Sequence, residues 1–304
     1  MKRVLVIYYS QTGQLRRILD SMLAPLSGVE LTWWELKPRP SYPFPWPVPR
    51  FLDVFPESVL MVPPALEPLP AAPAATFDLV VLAYTVWYLA PSLPVSAFLR
   101  SPSADVMRGC PVITVVNARD KWLTAQELVK AELGRIGARL IDHVAFIHAG
   151  TTLQHTVTTL RWMWTGKKEA FGCFPAAGVS EEDIRDASRF GRAIHAALER
   201  GPVESSVLQG LGAVRVDDGT ILQEEAARPV FCFWARCIRA AKVARRPVLL
   251  LFGACLLVLL AIAAPVALLH RLLIAPFTRA ARARKRAYYE QPSGSARDSR
   301  GRGP

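Results

Sequence analysis

The sequence has few of the residues that build disulfide frameworks and metal centres. It contains five cysteines and five histidines in 304 residues. The cysteines are odd in number and widely spaced without a CxxC pair, and no two histidines stand at metal-ligand spacing. These patterns argue against a disulfide scaffold and against a metal site. We expect the thiols to be small buried hydrophobes and the chain to hold no metal.

Motifs for nucleophilic or nucleoside-triphosphate chemistry are also missing. The chain has no GxSxG elbow and no Walker loop. The apolar stretch behind Lys2 and Arg3 is only six residues long, Val4 to Tyr9, and no small-residue cleavage site follows it. We therefore reject a signal peptide and expect the globular part to stay in the cytoplasm.

Acidic residues are scarce in the last quarter of the chain. Residues 1–227 carry 22 Lys/Arg and 23 Asp/Glu, a net charge of −1, whereas residues 228–304 carry 15 and 2, a net charge of +13. The overall charge of +12 therefore belongs to the tail, and the globular part has no basic excess for binding phosphodiesters. We expect no nucleic-acid partner.

The tail contains the longest apolar run, 23 uncharged residues from 247 to 269. At about 1.5 Å per residue, a helix over this run could cross a hydrocarbon core of about 30 Å. Apolar residues continue to Phe277, so a single span and a hairpin kinked at Pro265 both stay open. We predict a transmembrane or kinked hairpin segment over residues 247–277 in the inner (cytoplasmic) membrane.

Shorter segments flank that run. Phe231, Trp234 and Ile238 recur at helical spacing among basic residues, which predicts an interfacial helix over residues 230–246 on anionic lipid. A solvated basic linker is the alternative there. We assign residues 201–229 to a linker and residues 278–304 to a basic disordered tail.

Residues 1–200 alternate buried strands with amphipathic helices, which predicts an α/β domain with a doubly wound, parallel, five-stranded sheet. Two Ser/Thr-x-x-acid patterns, Thr124 with Glu127 and Ser180 with Asp183, mark the starts of helices. The predicted strands occupy residues 4–9, 29–36, 79–83, 112–116 and 143–148.

One connection breaks the alternation. Residues 38–73 hold twelve prolines, which excludes a long helix and leaves room for a helical turn or two over residues 51–59. Two interpretations stay open for this insertion. It is either a rigid polyproline-like strap over the sheet or an aromatic lid that uses Tyr42, Phe44 and Trp46.

The loop after the first strand has the composition of a phosphate site. Hydroxyl groups, a glycine for a close turn and free backbone N–H groups at a helix start together form a receptor for phosphate. Ordinary helix capping would use the same residue types. The candidate residues are Ser10, Gln11, Thr12, Gly13, Gln14 and Leu15.

Two further loops follow strands whose carboxyl ends should meet the first loop at one edge of the sheet. Aromatic side chains there could stack on a flat ring system. The candidates after the strand at residues 79–83 are Tyr84, Thr85, Trp87 and Tyr88, and those after the strand at residues 112–116 are Asn117 and Trp122.

These loops resemble those of the flavodoxin-like family of FMN-binding proteins. In that family S/T-x-T-G-x-T holds the FMN phosphate, and G-x-P-x-Y/W-x-G-x-x-x-x-x-x-K-x-F-L packs on the isoalloxazine ring. Ser10, Thr12 and Gly13 match the first motif, and Trp87, Pro91, Phe98 and Leu99 match the second. The resemblance covers residues 1–200 and implies a flavodoxin-like fold with bound FMN, in which Asn117 and Trp122 would approach the pyrimidine edge or the substrate. The chain departs from the motifs at Leu15, Ala83, Thr85 and Leu89.

The whole chain is also similar to bacterial proteins labelled dialkylresorcinol condensing enzyme. This resemblance implies an FMN-dependent oxidoreductase that aromatises a cyclohexanedione precursor of a lipid-like product, or takes part in the associated condensation, beside a ketosynthase-type partner. The alternatives are a membrane-tethered electron carrier and a flavin-free scaffold for partner enzymes. No motif assigns catalysis; the candidates are His148, His155 and Tyr88.

Overall fold

A computed structural model describes residues 1–70, 76–148, 150–256, 258 and 279–294. Five parallel strands form its central sheet in the order β2-β1-β3-β4-β5. This order is that of the flavodoxin-like doubly wound fold, which confirms the predicted fold class. The strands are β1 (Lys2–Tyr8), β2 (Val29–Glu35), β3 (Leu79–Trp87), β4 (Pro111–Ala118) and β5 (Arg139–Ile147).

Helices cover both faces of the sheet, so β4 is buried along its whole length. Neighbouring strand residues point to opposite faces, and Tyr84 contacts α5 while Thr85 shares its face with α1. The helices are α1 (Gln14–Leu23), α2 (Val48–Asp53), α3 (Phe55–Val59), α4 (Leu93–Leu99), α5 (Leu123–Ile136), α6 (Thr152–Thr165), α7 (Glu181–Asp186), α8 (Ser188–Arg200), α9 (Asp218–Ala240) and α10 (Arg279–Glu290). Short 3₁₀ helices occupy Pro102–Met107 and Lys242–Ala244, and residues 245–256 are helical.

The proline-rich insertion contains no long helix, as its composition predicts. It holds the short helices α2 and α3, and its two-residue strands Pro38–Arg39 and Ala65–Leu66 pair antiparallel. We call residues 38–70 the strap; residues 71–73 of the predicted insertion lie outside the described residues.

Residues 218–229, predicted to be linker, are instead the first half of α9. The Asp217 side chain caps this helix by accepting a hydrogen bond from the Thr220 N–H at 3.0 Å. The Glu224 carboxylate accepts hydrogen bonds from the N–H groups of Leu123 and Thr124 at 3.0 and 2.7 Å. The start of α5 is therefore satisfied from α9, and Thr124 does not make the predicted capping box.

Residues 279–294, predicted to be disordered, pack against the domain. Arg286 and Lys285 of α10 pair with Asp218 and Glu225 of α9 at 2.7 and 2.6 Å. Ser293, three residues after the end of this helix, is buried, with an exposed fraction of 2%. The acidic first half of α9 supplies the partners that hold this basic segment in place; residues 295–304 lie outside the described residues.

The predicted membrane segment over residues 247–277 lies mostly outside the described residues. In the part of the chain that the structure describes, no helix combines the length and apolar composition that crossing a bilayer requires.

Candidate functional site

The predicted phosphate loop connects β1 to α1 at the carboxyl edge of the sheet. Gly13 has a left-handed φ of 76°, and no heavy atom lies within 4 Å of where its Cβ would be. Thr12 and Gly13 are exposed. Among the described residues, the backbone N–H groups of residues 12–15 have no hydrogen-bond acceptor, whereas the Arg16 N–H donates to Ser10 Oγ at 3.4 Å. Unpaired N–H groups at the positive end of a helix favour an anion.

Gln14 lies behind this loop and connects it to two neighbouring segments. Its side chain is buried, and its Oε1 accepts hydrogen bonds from Asn117 Nδ2 at 3.3 Å and from the Val179 N–H at 3.1 Å. Gly178 has a left-handed φ of 97°, and a Cβ there would meet the Gln14 side chain, so the position favours glycine. The Gln14 side chain therefore joins α1, β4 and the chain before α7. Leu15, beside it, is buried in the core.

Two buried polar atoms at the same edge lack a partner. Thr85 at the end of β3 is in register with Asn117 at the end of β4, so their side chains lie on one face of the sheet. Thr85 Oγ1 and Asn117 Oδ1 have no hydrogen-bond partner among the described residues. Leaving such an atom unsatisfied costs about 1–3 kcal/mol, which a bound donor would recover.

Two predicted contact residues are placed away from this cluster. Tyr84 is fully buried on the opposite face of β3, where its hydroxyl donates to Gln126 Oε1 of α5 at 2.6 Å. Trp122 is 2% exposed, and its ring centroid lies 5.6 Å from that of His143 on β5. Both side chains belong to the core because strand alternation and the start of α5 turn them inward.

Trp87 and Tyr88 instead meet the strap. β3 turns back into Ala90–Pro91 through Tyr88 and Leu89, which both have a left-handed φ, 50° and 63°. This is the backbone of a tight two-residue hairpin. The Tyr88 hydroxyl donates to the Phe51 carbonyl at 2.8 Å, and burial raises the pKa of Tyr88 well above its usual range. Tyr88 is thus a packing residue and a poor candidate for proton transfer.

The strap bridges the phosphate loop and α6. Gln11 Nε2 donates to the Pro43 carbonyl at 2.8 Å, and Trp46 Nε1 donates to Gln11 Oε1 at 3.2 Å. The Trp46 N–H donates to the Met163 carbonyl of α6 at 2.6 Å. The rings of Tyr42 and Trp46 lie against Trp87, with centroid distances of 4.9 and 5.4 Å. The insertion therefore lies across the edge with its aromatic side chains turned onto the second loop.

Of the two candidate histidines, His148 directly follows β5 and His155 lies on α6. His148 Nδ1 is 3.2 Å from Thr159 Oγ1, and the buried Nδ1 of His155 has no partner among the described residues. Burial lowers the pKa of His148 to about 3, with His155 and Arg119 adding to the effect, and burial also lowers the pKa of His155. A lowered pKa makes each ring a weaker base, so both suit hydrogen bonding better than proton abstraction. Among the described residues, Thr158 Oγ1 on the same helix as His155 is also buried without a partner, and no sequence signal marks it.

A third histidine, His143 on β5, predicts how stability depends on pH. It is fully buried, and burial, followed by the charge of Lys130, lowers its pKa to about 3. In the unfolded chain its pKa returns to about 6.5, so the unfolded state binds more protons below that pH. The stabilisation is complete above pH 6.5 and decreases as the pH falls toward 3. We expect a loss of about 2 kcal/mol between pH 7 and 5 from this group.

Chemical denaturation at pH 7 and pH 5 measures this loss. The His143→Leu variant should show a smaller decrease than the parent, and His195→Gln, at a more exposed histidine, should show the parent's decrease. Equal decreases in the parent and His143→Leu would contradict the prediction.

No protein-family model matches the sequence, and no curated protein matches it. Similar solved structures include a flavoprotein in complex with FMN from Lactobacillus acidophilus NCFM, with 16% identity, 48% of this chain and 93% of that chain covered, and a TM-score of 0.38. An archaeal flavodoxin is 10% identical, with 65% of this chain and 99% of that chain covered, and the TM-score is 0.36. A WrbA-like flavodoxin from Agrobacterium tumefaciens is 12% identical, with 66% of this chain and 99% of that chain covered, and the TM-score is 0.35. These likenesses are distant, and the strand order of the sheet is what identifies the fold as flavodoxin-like.

Proposed function

We propose that this chain is a flavodoxin-like flavoprotein that binds FMN at the carboxyl edge of its sheet and uses it in redox chemistry. One observation carries the proposal: unpaired donors and unpaired acceptors meet at that edge. Within the part of the chain that the structure describes, the N–H groups of residues 12–15 lack acceptors, and the buried Thr85 Oγ1 and Asn117 Oδ1 lack donors. A phosphate group and the polar edge of a flavin ring would satisfy both sets.

The residues present fit such a group. Ser10 and Thr12 would add hydroxyl groups to the N–H groups around a phosphate, and Thr85 with Asn117 would receive the polar edge of the ring. Trp87 and the strap residues Tyr42 and Trp46 supply aromatic surface beside them. FMN, when bound, accepts or gives up a hydride. The chain's own contribution is to orient the ring system, to exclude water with the strap and α6, and to keep His148 and His155 neutral.

The test compares FMN binding by the full chain with that of two single variants. Thr12→Glu places a negative charge in the exposed loop, where it would repel a phosphate. We expect FMN affinity to fall about 100-fold or more, since opposing like charges cost several kcal/mol. Ser103→Glu adds the same charge at another exposed position, in the helix Pro102–Met107, and should leave affinity unchanged. Flavin absorption and fluorescence quenching during titration measure both.

The outcomes separate the possible functions. A colourless protein that takes up no added FMN would overturn the proposal and leave a flavin-free scaffold. Equal affinity in the parent and Thr12→Glu would show that the phosphate does not bind at residues 12–15. Bleaching of the flavin by a cyclohexanedione would indicate an enzyme, and bleaching only by a redox protein would indicate an electron carrier.

The narrower function stays a prediction from the resemblance. In it the protein aromatises a precursor of dialkylresorcinol-type lipids beside a ketosynthase-type partner, anchored at the inner membrane with its domain in the cytoplasm. The flanks of the apolar run bear on how such an anchor could be arranged. Phe252, inside the predicted run, packs on α3, and Ser293, after the run, packs on β5, so both of these residues are attached to one domain.

A further inference from the structure

The end of α9 and the residues that follow it expose many apolar side chains. We call residues 230–256 and 258 the tail face. Val243 is fully exposed, and Phe233 and Leu250 are 61% and 69% exposed. The large hydrophobic side chains exposed in this region are Val230, Phe233, Val243, Leu250, Leu251 and Val258. Soluble monomers rarely expose such a cluster, so it marks a contact surface.

The exposed side chains are not the side of this segment that packs on the domain. Ala235, Ile238, Leu249 and Phe252 already fill that role, buried against α3. Phe252 stacks on Phe55 of the strap with ring centroids 3.9 Å apart. The tail segment thus has one apolar face buried in the domain and a second apolar face toward solvent, which requires a different partner.

The same surface is strongly positive. Arg236, Arg239, Lys242 and Arg246 are exposed, and none has an ion pair among the described residues. The sequence has no Asp or Glu between residues 226 and 289. Arg245 differs, because it points toward the strap and pairs with Glu57 and Asp53 at 2.8 and 3.1 Å. The domain therefore neutralises the inward arginine and leaves the outward cations free.

Exposed apolar side chains among unpaired cations fit an anionic lipid surface. Apolar groups can enter the boundary between headgroups and acyl chains while the cations pair with lipid phosphates. A nucleic acid would leave Phe233 and Leu250 without apolar contacts. We propose that the tail face docks in the plane of an anionic lipid bilayer. This proposal rests on the membrane attachment proposed above and narrows it to a defined surface.

Ring contacts connect the buried side of this segment to the site at the sheet edge. Phe55 touches Phe252 of the tail face on one side and Tyr88 of the hairpin on the other, the latter with centroids 5.0 Å apart. Phe55 therefore connects the buried side of this segment to the hairpin that carries Trp87 and Tyr88.

Vesicle sedimentation of the purified full chain tests the proposal. Phosphatidylcholine vesicles are compared with vesicles that also contain phosphatidylglycerol. Arg236→Gln/Arg239→Gln should bind the anionic vesicles about 30-fold more weakly than the parent. This factor corresponds to about 2 kcal/mol for the loss of two cations near the lipid surface. Lys167→Gln/Lys168→Gln removes two exposed cations elsewhere and should bind as the parent does.

The apolar contribution has its own pair of variants. Phe233→Ser should weaken binding, whereas Leu153→Ser, at a residue 70% exposed on α6, should not. All four variants change exposed side chains, so circular dichroism and thermal melting should match the parent.

Each outcome is decisive for the tail face. Equal binding by the parent and Arg236→Gln/Arg239→Gln, or equal binding to both vesicle types, would overturn the proposal, because attachment would then come from another part of the chain. Absence of binding to any vesicle would overturn the membrane attachment as well. FMN content, measured on the same samples, tests the redox function independently of all these results.

Discussion

Replacing Asp142 with alanine should lower the free energy of unfolding by about 3–5 kcal/mol. This carboxylate on β5 is fully buried and accepts four hydrogen bonds. Two come from the N–H groups of Val207 and Leu208 at 2.7 and 3.3 Å, and two from the hydroxyls of Ser206 and Ser293. Alanine would leave these donors without an acceptor in a place that water cannot easily reach.

Thermal melting and urea denaturation measure the loss, which corresponds to a melting temperature lower by about 10 °C. Asp105→Ala is the control, because Asp105 makes only an exposed ion pair with Arg108 and should change stability by less than about 1 kcal/mol. A similarly small loss in Asp142→Ala would show that this carboxylate does not hold residues 206–208 and 293 against the sheet.

Replacing Trp46 with alanine should cost about 3–5 kcal/mol. The ring is 5% exposed and lies against Tyr42, Phe51 and Trp87, with centroid distances of 5.8, 6.0 and 5.4 Å. Alanine removes these contacts together with the hydrogen bond from Nε1 to Gln11. The cavity would open between the strap and the second loop of the proposed flavin site.

This variant also distinguishes a rigid strap from an aromatic lid. A loss in the expected range means that the strap is part of the folded core. A loss below about 1 kcal/mol would mean that the strap lifts readily and behaves as a lid. Phe233→Ala removes a ring that is 61% exposed and should change stability by no more than about 0.5 kcal/mol.

Local sequence patterns predicted the features that depend on residues close together in the chain, namely buried strands, a helix cap and the absence of a long helix. Runs of apolar residues marked β1, β3, β4 and β5 because a parallel strand covered on both faces is largely apolar, whereas the edge strand β2 was marked by the mixed segment VELTWWE. Ser180 caps α7 by accepting from the Asp183 N–H at 3.0 Å, as its spacing predicts. The twelve prolines of residues 38–73 excluded a long helix there because proline lacks an N–H group.

The candidate site was predicted only in part. The sequence located the phosphate loop and the ends of β3 and β4, because a parallel sheet brings its carboxyl ends together. It did not show that Tyr84 faces α5 or that Gln14 is held by Asn117 and Val179. Those outcomes depend on the register of β3 and on a contact between residues 14 and 179. Binding of FMN by these residues stays a prediction.

The sequence by itself determined the order of the five strands, the separation of charge between domain and tail, and the loops in which a ligand could bind. Only the tertiary structure decided which distant residues supply the hydrogen-bond partners of these elements. Glu224 satisfies the start of α5 from 100 residues away, and Ser293 reaches Asp142 across 151 residues. Such pairs leave no local pattern, because their geometry arises only when the sheet and its covering helices have assembled.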